Sequence, residues 1–303
     1  MSTQPAAQQK ELPMLKRAAL QVVAGGSAGF VEVCIMQPLD VVKTRMQLGG
    51  GGHHYKGVFD CFAKMSRQEG FFAFWKGILP PIIAETPKRA IKFVCFEQTK
   101  PLFMFGAAAP TPLTFSLAGL TAGLIESIAV NPFEVVKVTQ QADKTKMKEA
   151  QSTWTVTRQI IQKDGFGLRG LNKGVTATMG RNGLFNMVYF GFYHSVMKLT
   201  SASDDHFKEF FRKFAIGFTS GTLACFVNIP FDVAKSRIQG PQPQPGIIKY
   251  KSALGSILLV YREEGFRALY KGLVPKIMRL GPGGAILLLV YEYVLDVMKK
   301  KCL

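Results

Sequence analysis

Pro38, Asp40 and Lys43, then Pro132, Glu134 and Lys137, then Pro230, Asp232 and Lys235 spell one pattern, Pro-x-acid-x-x-base, three times in a chain of 303 residues. An acid and a base three apart share one helix face, so three such helices can close a ring of ion pairs. In a threefold bundle the base of one helix can meet the acid of the next, which predicts Lys43 with Glu134, Lys137 with Asp232 and Lys235 with Asp40. A second group of charges, Lys88, Arg89, Lys92, Arg181 and Arg279, lies inside or beside apolar segments. Ionisable groups in such segments mark a pathway or site for an ion of the opposite sign. The chemistry on offer is therefore charge pairing and anion binding. Catalysis is not signalled: His53, His54, His194 and His206 lie on loops or alone, and Cys34, Cys61, Cys95, Cys225 and Cys302 are scattered without metal-ligand or disulfide spacing.

The pattern recurs at roughly 100-residue intervals, so the chain is one body of three repeats, about 18–108, 109–204 and 205–300. Each repeat opens with an apolar run carrying a pair of small residues, Gly25/Gly29, Gly119/Gly123 or Gly217/Gly221, of the kind that lets helices approach closely. The run meets the proline, where a backbone donor is lost and a kink is expected, and continues to Gln47, Gln141 or Gln239. A Gly- or Pro-rich stretch follows in repeats one and three (49–52; Pro241, Pro243, Pro245, Gly246). Short amphipathic segments, clearest at 58–66 and 253–261, then suit a membrane surface. They stop at Glu69-Gly70, Asp164-Gly165 and Glu264-Gly265. Trp75-Lys76-Gly77, Asn172-Lys173-Gly174 and Tyr270-Lys271-Gly272 lead into a second apolar helix. This predicts an all-α membrane protein with six spanning helices at about 18–48, 78–104, 112–143, 176–199, 211–239 and 273–299, three short surface helices, and both termini on one side.

Composition agrees with a bundle around water. Hydrophobic residues make up 48% of the chain, yet mean hydropathy is only +0.14, too polar for a lipid-filled bundle but suited to one whose polar groups face a wet cavity. The formal charge of +18 calls for an anionic partner. A basic patch on a soluble nucleic-acid binder would not be spread through apolar segments, so no nucleic acid is expected. The N-terminus has neither a signal peptide nor an Arg-rich amphipathic presequence.

Three copies of the Pro-x-acid-x-x-base motif, each with a downstream acid-Gly and two with aromatic-Lys-Gly, resemble the mitochondrial carrier family over roughly residues 18–299. The resemblance implies a threefold pseudosymmetric six-helix barrel in the mitochondrial inner membrane, working by alternating access as a monomer, with both termini in the intermembrane space. It implies the same pair order for the ring, placed as a gate on the matrix side, with Gln47, Gln141 and Gln239 each bracing one pair. On the second helix of each repeat the family carries a cytosolic gate, and here only Phe96-Glu97 with Lys100 fits fully. Phe192-Tyr193 and Tyr291-Glu292 lack their bases, so one pair, Lys100 with Glu292, and the Tyr193 hydroxyl remain for a weaker latch. Arg45 and Arg237 follow the base by two, whereas Thr139 stands there in repeat two, implying one missing surface contact near the matrix mouth.

Between the gates the family places one substrate contact on each second helix, which falls here on Arg181-Asn182 and Arg279. Two guanidiniums facing one another suit a dicarboxylate. Lys88 and Lys92 share a face, Glu85 can pair with Lys88 or Arg89, and Asn182, Asn186 and Tyr189 can donate to a 2-oxo group. The run from Asn182 to Gly191 and the stretch from Glu85 to Arg89 resemble family members that carry 2-oxodicarboxylates such as 2-oxoglutarate and 2-oxoadipate. Carriage of other dicarboxylates, tricarboxylates or amino acids, or a proton leak, are the alternatives, and the basic side chains can instead snorkel to headgroups. Glu32 and Glu126, each six before its proline, either pair with a neighbouring base, the preferred reading, or bind a proton. No enzyme activity or cofactor is implied. Cardiolipin is the implied lipid, held at helix starts near Tyr55-Lys56-Gly57, Trp75-Lys76-Gly77 and Tyr270-Lys271-Gly272. Carbonate extraction should leave the chain in the membrane pellet; release into the supernatant would return it to the soluble class.

Overall fold

A computed structural model describes residues 14–48, 55–146, 149–201, 205–243 and 247–302. The Gly49–Gly52 stretch, Pro245, Gly246, His53, His54 and the first thirteen residues lie outside the described residues. Among the described residues the long elements are α-helices, in the order α1 (Met14–Leu48), α2 (Val58–Gln68), α3 (Leu79–Thr99), α4 (Pro112–Ala142), α5 (Thr153–Asp164), α6 (Val175–Leu199), α7 (His206–Gln239), α8 (Ala253–Glu264) and α9 (Leu273–Cys302). Each repeat thus contributes long, short, long. The starts are written in side chains that satisfy orphan N–H groups: Thr111 and Thr114 form a reciprocal capping pair on α4, Ser152 caps α5, Asp205 caps α7 and Ser252 caps α8. The short helices end where Gly70, Gly165 and Gly265 take φ of 91°, 75° and 81°, a region that side chains with a Cβ rarely enter. α3 stops earlier than the sequence pattern suggests, because Pro101 turns the chain into a short 3-10 turn, Pro101–Phe103.

The six long helices pack as a closed ring in the order α1, α3, α4, α6, α7, α9 and back to α1. The seams are unequal: α4–α6 is the most extensive, while α1–α3 and α7–α9 are thin. Among the paired glycines only those of repeat two act as a close approach. A Cβ on Gly119 would stand 2.8 Å from the Asn186 carbonyl oxygen, and one on Gly123 would stand 2.7 Å from that of Asn182. Gly25 has open space around it, and Gly217 and Gly221 have only ordinary to tight side-chain neighbours. The small-residue pairs therefore pull in one seam of three.

Polarity is inverted relative to a soluble bundle. Gln37, Ser127, Asn131, Asn186, Asn228 and Asp232 are buried, whereas Phe30, Phe93, Ile128, Phe210, Phe214, Phe226 and Leu289 are exposed on the outside. An apolar exterior around a polar interior is the arrangement a hydrocarbon solvent demands. Among the described residues three stretches are long and apolar enough by themselves to cross a membrane: Pro112–Ala142, Phe207–Gln239 and Phe266–Met298. Three apolar clusters lie at one end of the ring, where each short helix packs on the second half of its long partner: Cys61, Met65 and Phe74 on Val41 and Val42, Val156 and Leu171 on Val136, and Val260, Ala268 and Leu269 on Val233; a fourth, Phe96 with Ala118 and Ala122, sits in the α3–α4 seam.

The same corners hold ion-pair triads in repeats one and three. Glu69 accepts from Arg45 at 2.9 Å and from Lys76 at 2.9 Å. Glu264 receives both guanidinium nitrogens of Arg237, with Lys271 at 3.0 Å. Repeat two lacks the triad, and Thr139 turns its hydroxyl onto the Val135 carbonyl. The missing contact is not a surface one, since Arg45, Glu69 and Arg237 are buried under the short helices. Hydrogen bonds from Arg237 hold the Glu264 carboxyl down at about 2. A carboxylate held below its ordinary range stabilises the fold above that range, and the contribution is lost as pH falls through the folded value. Glu264→Gln should therefore lower the Tm of the purified protein near neutrality, by an amount equivalent to about 3 kcal/mol, for leaving Arg237 buried with less compensation. The gap from wild type should close as pH falls from about 4.3 toward the folded value; a gap independent of pH would show that the charge is not the cause.

Candidate functional site

At the end of the ring next to the short helices, the three repeated acids sit side by side and each is shared by two bases. Asp40 accepts from Lys137 at 2.7 Å and from Arg279, whose Nη1 lies 2.6 and 2.8 Å from its two oxygens. Glu134 accepts from Lys235 at 2.6 Å and from Arg181 at 2.6 Å. Asp232 meets Lys43 at 2.5 Å and Lys276 at 3.0 Å, with Arg181 further off at 3.9 Å. One partner always comes from the next proline-bearing helix and the other from α6 or α9. The acids are largely removed from solvent, Asp232 almost wholly so.

The ring runs in the opposite sense to the one expected. Lys43 pairs with Asp232 instead of Glu134, Lys137 with Asp40 instead of Asp232, and Lys235 with Glu134 instead of Asp40. A base three residues beyond an acid is turned about 60° to one fixed side of it. Which neighbour stands on that side depends on the hand in which the helices are arranged, and here it is the preceding repeat.

The glutamines also differ from expectation. None spans an ion pair; each ties the same two helices as a pair does, one turn further on. Gln47 of α1 accepts from Ser236 of α7 at 2.8 Å, and Gln141 of α4 accepts from Thr44 of α1 at 2.7 Å. Gln239 of α7 donates to Asn131 of α4 at 2.9 Å and to Thr178 of α6 at 3.2 Å. All three are fully buried. One turn beyond the acid and base, each glutamine meets polar side chains of the neighbouring helices instead of the pair itself.

Two adjoining chambers, of about 100 Å³ at the ring and about 350 Å³ beside it, share Asp40, Lys43, Lys88, Arg181 and Arg279 on their walls. Glu85 lines the smaller; Glu32, Lys92, Glu126, Asn182, Asn186, Asn228 and Lys276 line the larger. The side chains picked out as substrate contacts are thus brought together, with one exception. Tyr189 lines neither chamber; its hydroxyl faces α7, 3.6 Å from where a Cβ on Gly217 would stand. Phe185, one turn earlier, takes the place on the wall, and Phe185, Tyr189 and Tyr193 stack in sequence along α6. Asn182 is turned to the Ser127 hydroxyl at 3.0 Å. Glu85 holds Arg89 at 2.7 Å, and Glu32 meets Arg89 at 2.9 Å and Arg279 at 3.4 Å, so Glu32 is paired.

Lys276 was missed by sequence reasoning. It donates to Asn228 at 2.5 Å and Asp232 at 3.0 Å. Its signal was present: it stands three residues before Arg279, on the same face of α9. At the other end of the ring the expected latch is not formed. Lys100 bonds Glu97 of its own helix at 2.7 Å, with its ammonium over the Phe96 ring, while Glu292 is exposed and Tyr193 is occupied by stacking.

The helix starts named for lipid are partly occupied from within. Lys76 is buried on Glu69 and on the Asp143 and Thr145 carbonyls, and the Lys56 N–H is taken by Asp60 at 2.8 Å. A chamber of about 600 Å³ does lie beside Trp75, Gly77 and Ile78, with Gln140, Ser152 and Thr153 opposite.

The model of the mitochondrial carrier protein family matches residues 16–106, 109–204 and 207–301. The mitochondrial 2-oxodicarboxylate carrier of Homo sapiens is 58% identical over 93% of this chain and 95% of its own length. That of Bos taurus is 59% identical over 92% and 94%. Mitochondrial 2-oxodicarboxylate carrier 1 of Saccharomyces cerevisiae is 41% identical over 92% and 94%.

Double-mutant cycles will separate the two possible senses of the ring. On Tm, Lys43→Ala and Asp232→Ala should be coupled by about 1–3 kcal/mol, whereas Lys43→Ala and Glu134→Ala should be additive to within about 0.5 kcal/mol. The reverse would reinstate the other pairing.

Proposed function

The chain belongs to the mitochondrial carrier family, and on that premise we propose that it exchanges 2-oxodicarboxylates such as 2-oxoglutarate and 2-oxoadipate across the mitochondrial inner membrane by alternating access. The observation that carries the reading is the pair of guanidiniums, Arg181 and Arg279, on the wall of one chamber in the middle of the ring. Each holds a gate carboxylate, Arg181 that of Glu134 and Arg279 that of Asp40. A carboxylate at either end of a substrate is what such groups bind best.

The chambers carry an excess of positive charge for a dianion. Eight bases, Lys43, Lys88, Lys92, Lys137, Arg181, Lys235, Lys276 and Arg279, line them against six acids, Glu32, Asp40, Glu85, Glu126, Glu134 and Asp232. A volume of about 350 Å³ for the larger chamber falls in the range of small-molecule sites, ~300–1,000 Å³. Asn182 and Asn186 supply donors for the 2-oxo oxygen, and Lys88 and Lys92 steady the negative charge.

In this reading α1, α3, α4, α6, α7 and α9 all cross the bilayer as a barrel, the charged ones facing water inside. The acid ring is the matrix gate, closed here. The opposite end, held by Glu97, Lys100, Tyr193 and Glu292 when it closes, faces the intermembrane space, as do both termini. The carrier works as a monomer and needs no cofactor. Cardiolipin lies in the chamber between the start of α3 and the start of α5, where Gly77, Ile78, Ser152 and Thr153 offer polar and backbone groups. The mechanism follows from shared acids: a dicarboxylate arriving from the open end takes Arg181 and Arg279, leaving Glu134 and Asp40 with one base each. The gate then opens against a smaller attraction.

Counter-exchange in proteoliposomes tests this. Labelled 2-oxoglutarate uptake should be competed by 2-oxoadipate, and Arg181→Ala should lower uptake at least about tenfold, in keeping with loss of a charge-assisted bidentate contact. Failure of 2-oxoadipate to compete would remove the substrate assignment, and full activity in the variant would remove Arg181 from the site.

A further inference from the structure

We propose that Glu32 is an internal competitor of the substrate, seated in a carboxylate subsite formed by Arg89 of α3 and Arg279 of α9. The inference rests on the 2-oxodicarboxylate reading and deepens it. Glu32 presents one oxygen to each guanidinium: Oε2 lies 2.9 Å from Arg89 Nη2, and Oε1 lies 3.4 Å from Arg279 Nη2. Both cations are already aimed by something else. Glu85 holds Arg89 through Nε at 2.7 Å, and Asp40 holds Arg279 through Nη1. Their remaining edges converge on one carboxylate.

That carboxylate and Arg279 are on the wall of the larger chamber, and Arg89, behind Glu32 and off the wall, is a third exposed, as Arg279 is. The repeat itself does not demand an acid here, since Ala224 stands at the corresponding place before Pro230. Glu32 thus has the chemistry of one end of the substrate and the position that such an end would take. It adds a second carboxylate to each of two guanidiniums that Glu85 and Asp40 already hold through other nitrogens. When a dicarboxylate enters, its near carboxylate replaces Glu32 on Arg89 and draws Arg279 from both Glu32 and Asp40, and Glu32 turns into the chamber water. Binding is paid down by the lost internal pair, which keeps the substrate loose enough to leave on the far side. Uniformly tighter binding would lower KM without helping turnover.

The experiment is counter-exchange of 2-oxoglutarate by wild type, Glu32→Gln and Arg89→Gln in proteoliposomes, with ligand-induced Tm shifts of the detergent-purified proteins as a second reading. Glu32→Gln should lower KM several-fold and reduce the maximal rate. Its Tm without ligand should fall, and the shift with 2-oxoglutarate should exceed that of wild type. Arg89→Gln should raise KM about tenfold, and this variant decides the matter if Glu32→Gln does not fold. An unchanged or raised KM in a folded Glu32→Gln, or an unchanged KM in Arg89→Gln, would overturn the inference while leaving the transport reading intact. A wild type that exchanges no 2-oxodicarboxylate would overturn the reading beneath it.

Discussion

Three carboxylates, Asp40, Glu134 and Asp232, each shared by two cations in a place with little water, are the interaction on which the rest of this molecule turns. A buried carboxylate with a single partner recovers little of its desolvation cost, and removal of that partner is severely destabilising. Two partners per acid change the balance: one can be withdrawn and the acid is still paired. Each acid therefore joins a structural lysine on the neighbouring proline-bearing helix to a basic group on the chamber wall. Gate and binding site are the two ends of one set of bonds.

The remainder of the fold serves that arrangement. Apolar side chains face outward along the long helices, so the polar interior is left for water and solute. The short helices cap one end and bury the Arg45–Glu69–Lys76 and Arg237–Glu264–Lys271 triads. Repeat two has no such triad, but the Asp143 and Thr145 carbonyls of that repeat accept from Lys76 instead, so the corner is held from across the repeat boundary. The glutamines close the seams just beyond the acids without touching them, which leaves the ion pairs free to part while the polar seams mark where the helices must return.

Much of this was legible in the residues. The repeat, the six long and three short helices, and the acids and bases of the ring followed from periodicity and from the triplicate motif, while Arg181 and Arg279 followed from the family resemblance. The sense of the ring did not, because spacing fixes which side of a helix a lysine leans to but not which helix stands there. Lys276 was readable from its spacing to Arg279 and was overlooked since it belongs to no repeated motif. Tyr189 was misplaced for a related reason: positions four apart share a face, yet only the packing of α6 against α7 decides that Phe185 meets the chamber and Tyr189 the seam. Lys100 and Glu292 were paired by motif, and here Lys100 is held by Glu97 three residues before it while Glu292 is exposed. Glycine pairs of identical spacing serve a close approach only at α4–α6.

The uneven seams of the ring give the shell a mechanical grain. Its two thin joints, α1–α3 and α7–α9, separate a two-stave panel, α9 with α1, from a four-stave panel, α3, α4, α6 and α7. Of the bonds around the three acids, Arg279–Asp40, Lys235–Glu134 and Arg181–Glu134 lie within a panel, while Lys137–Asp40, Lys43–Asp232 and Lys276–Asp232 cross a joint. Arg89–Glu32 crosses as well. Prising the panels apart strains these crossing bonds together with the Gln47–Ser236 and Gln141–Thr44 ties beyond them, so a sequence with three matching repeats has folded into a shell with two thin joints rather than three equal ones.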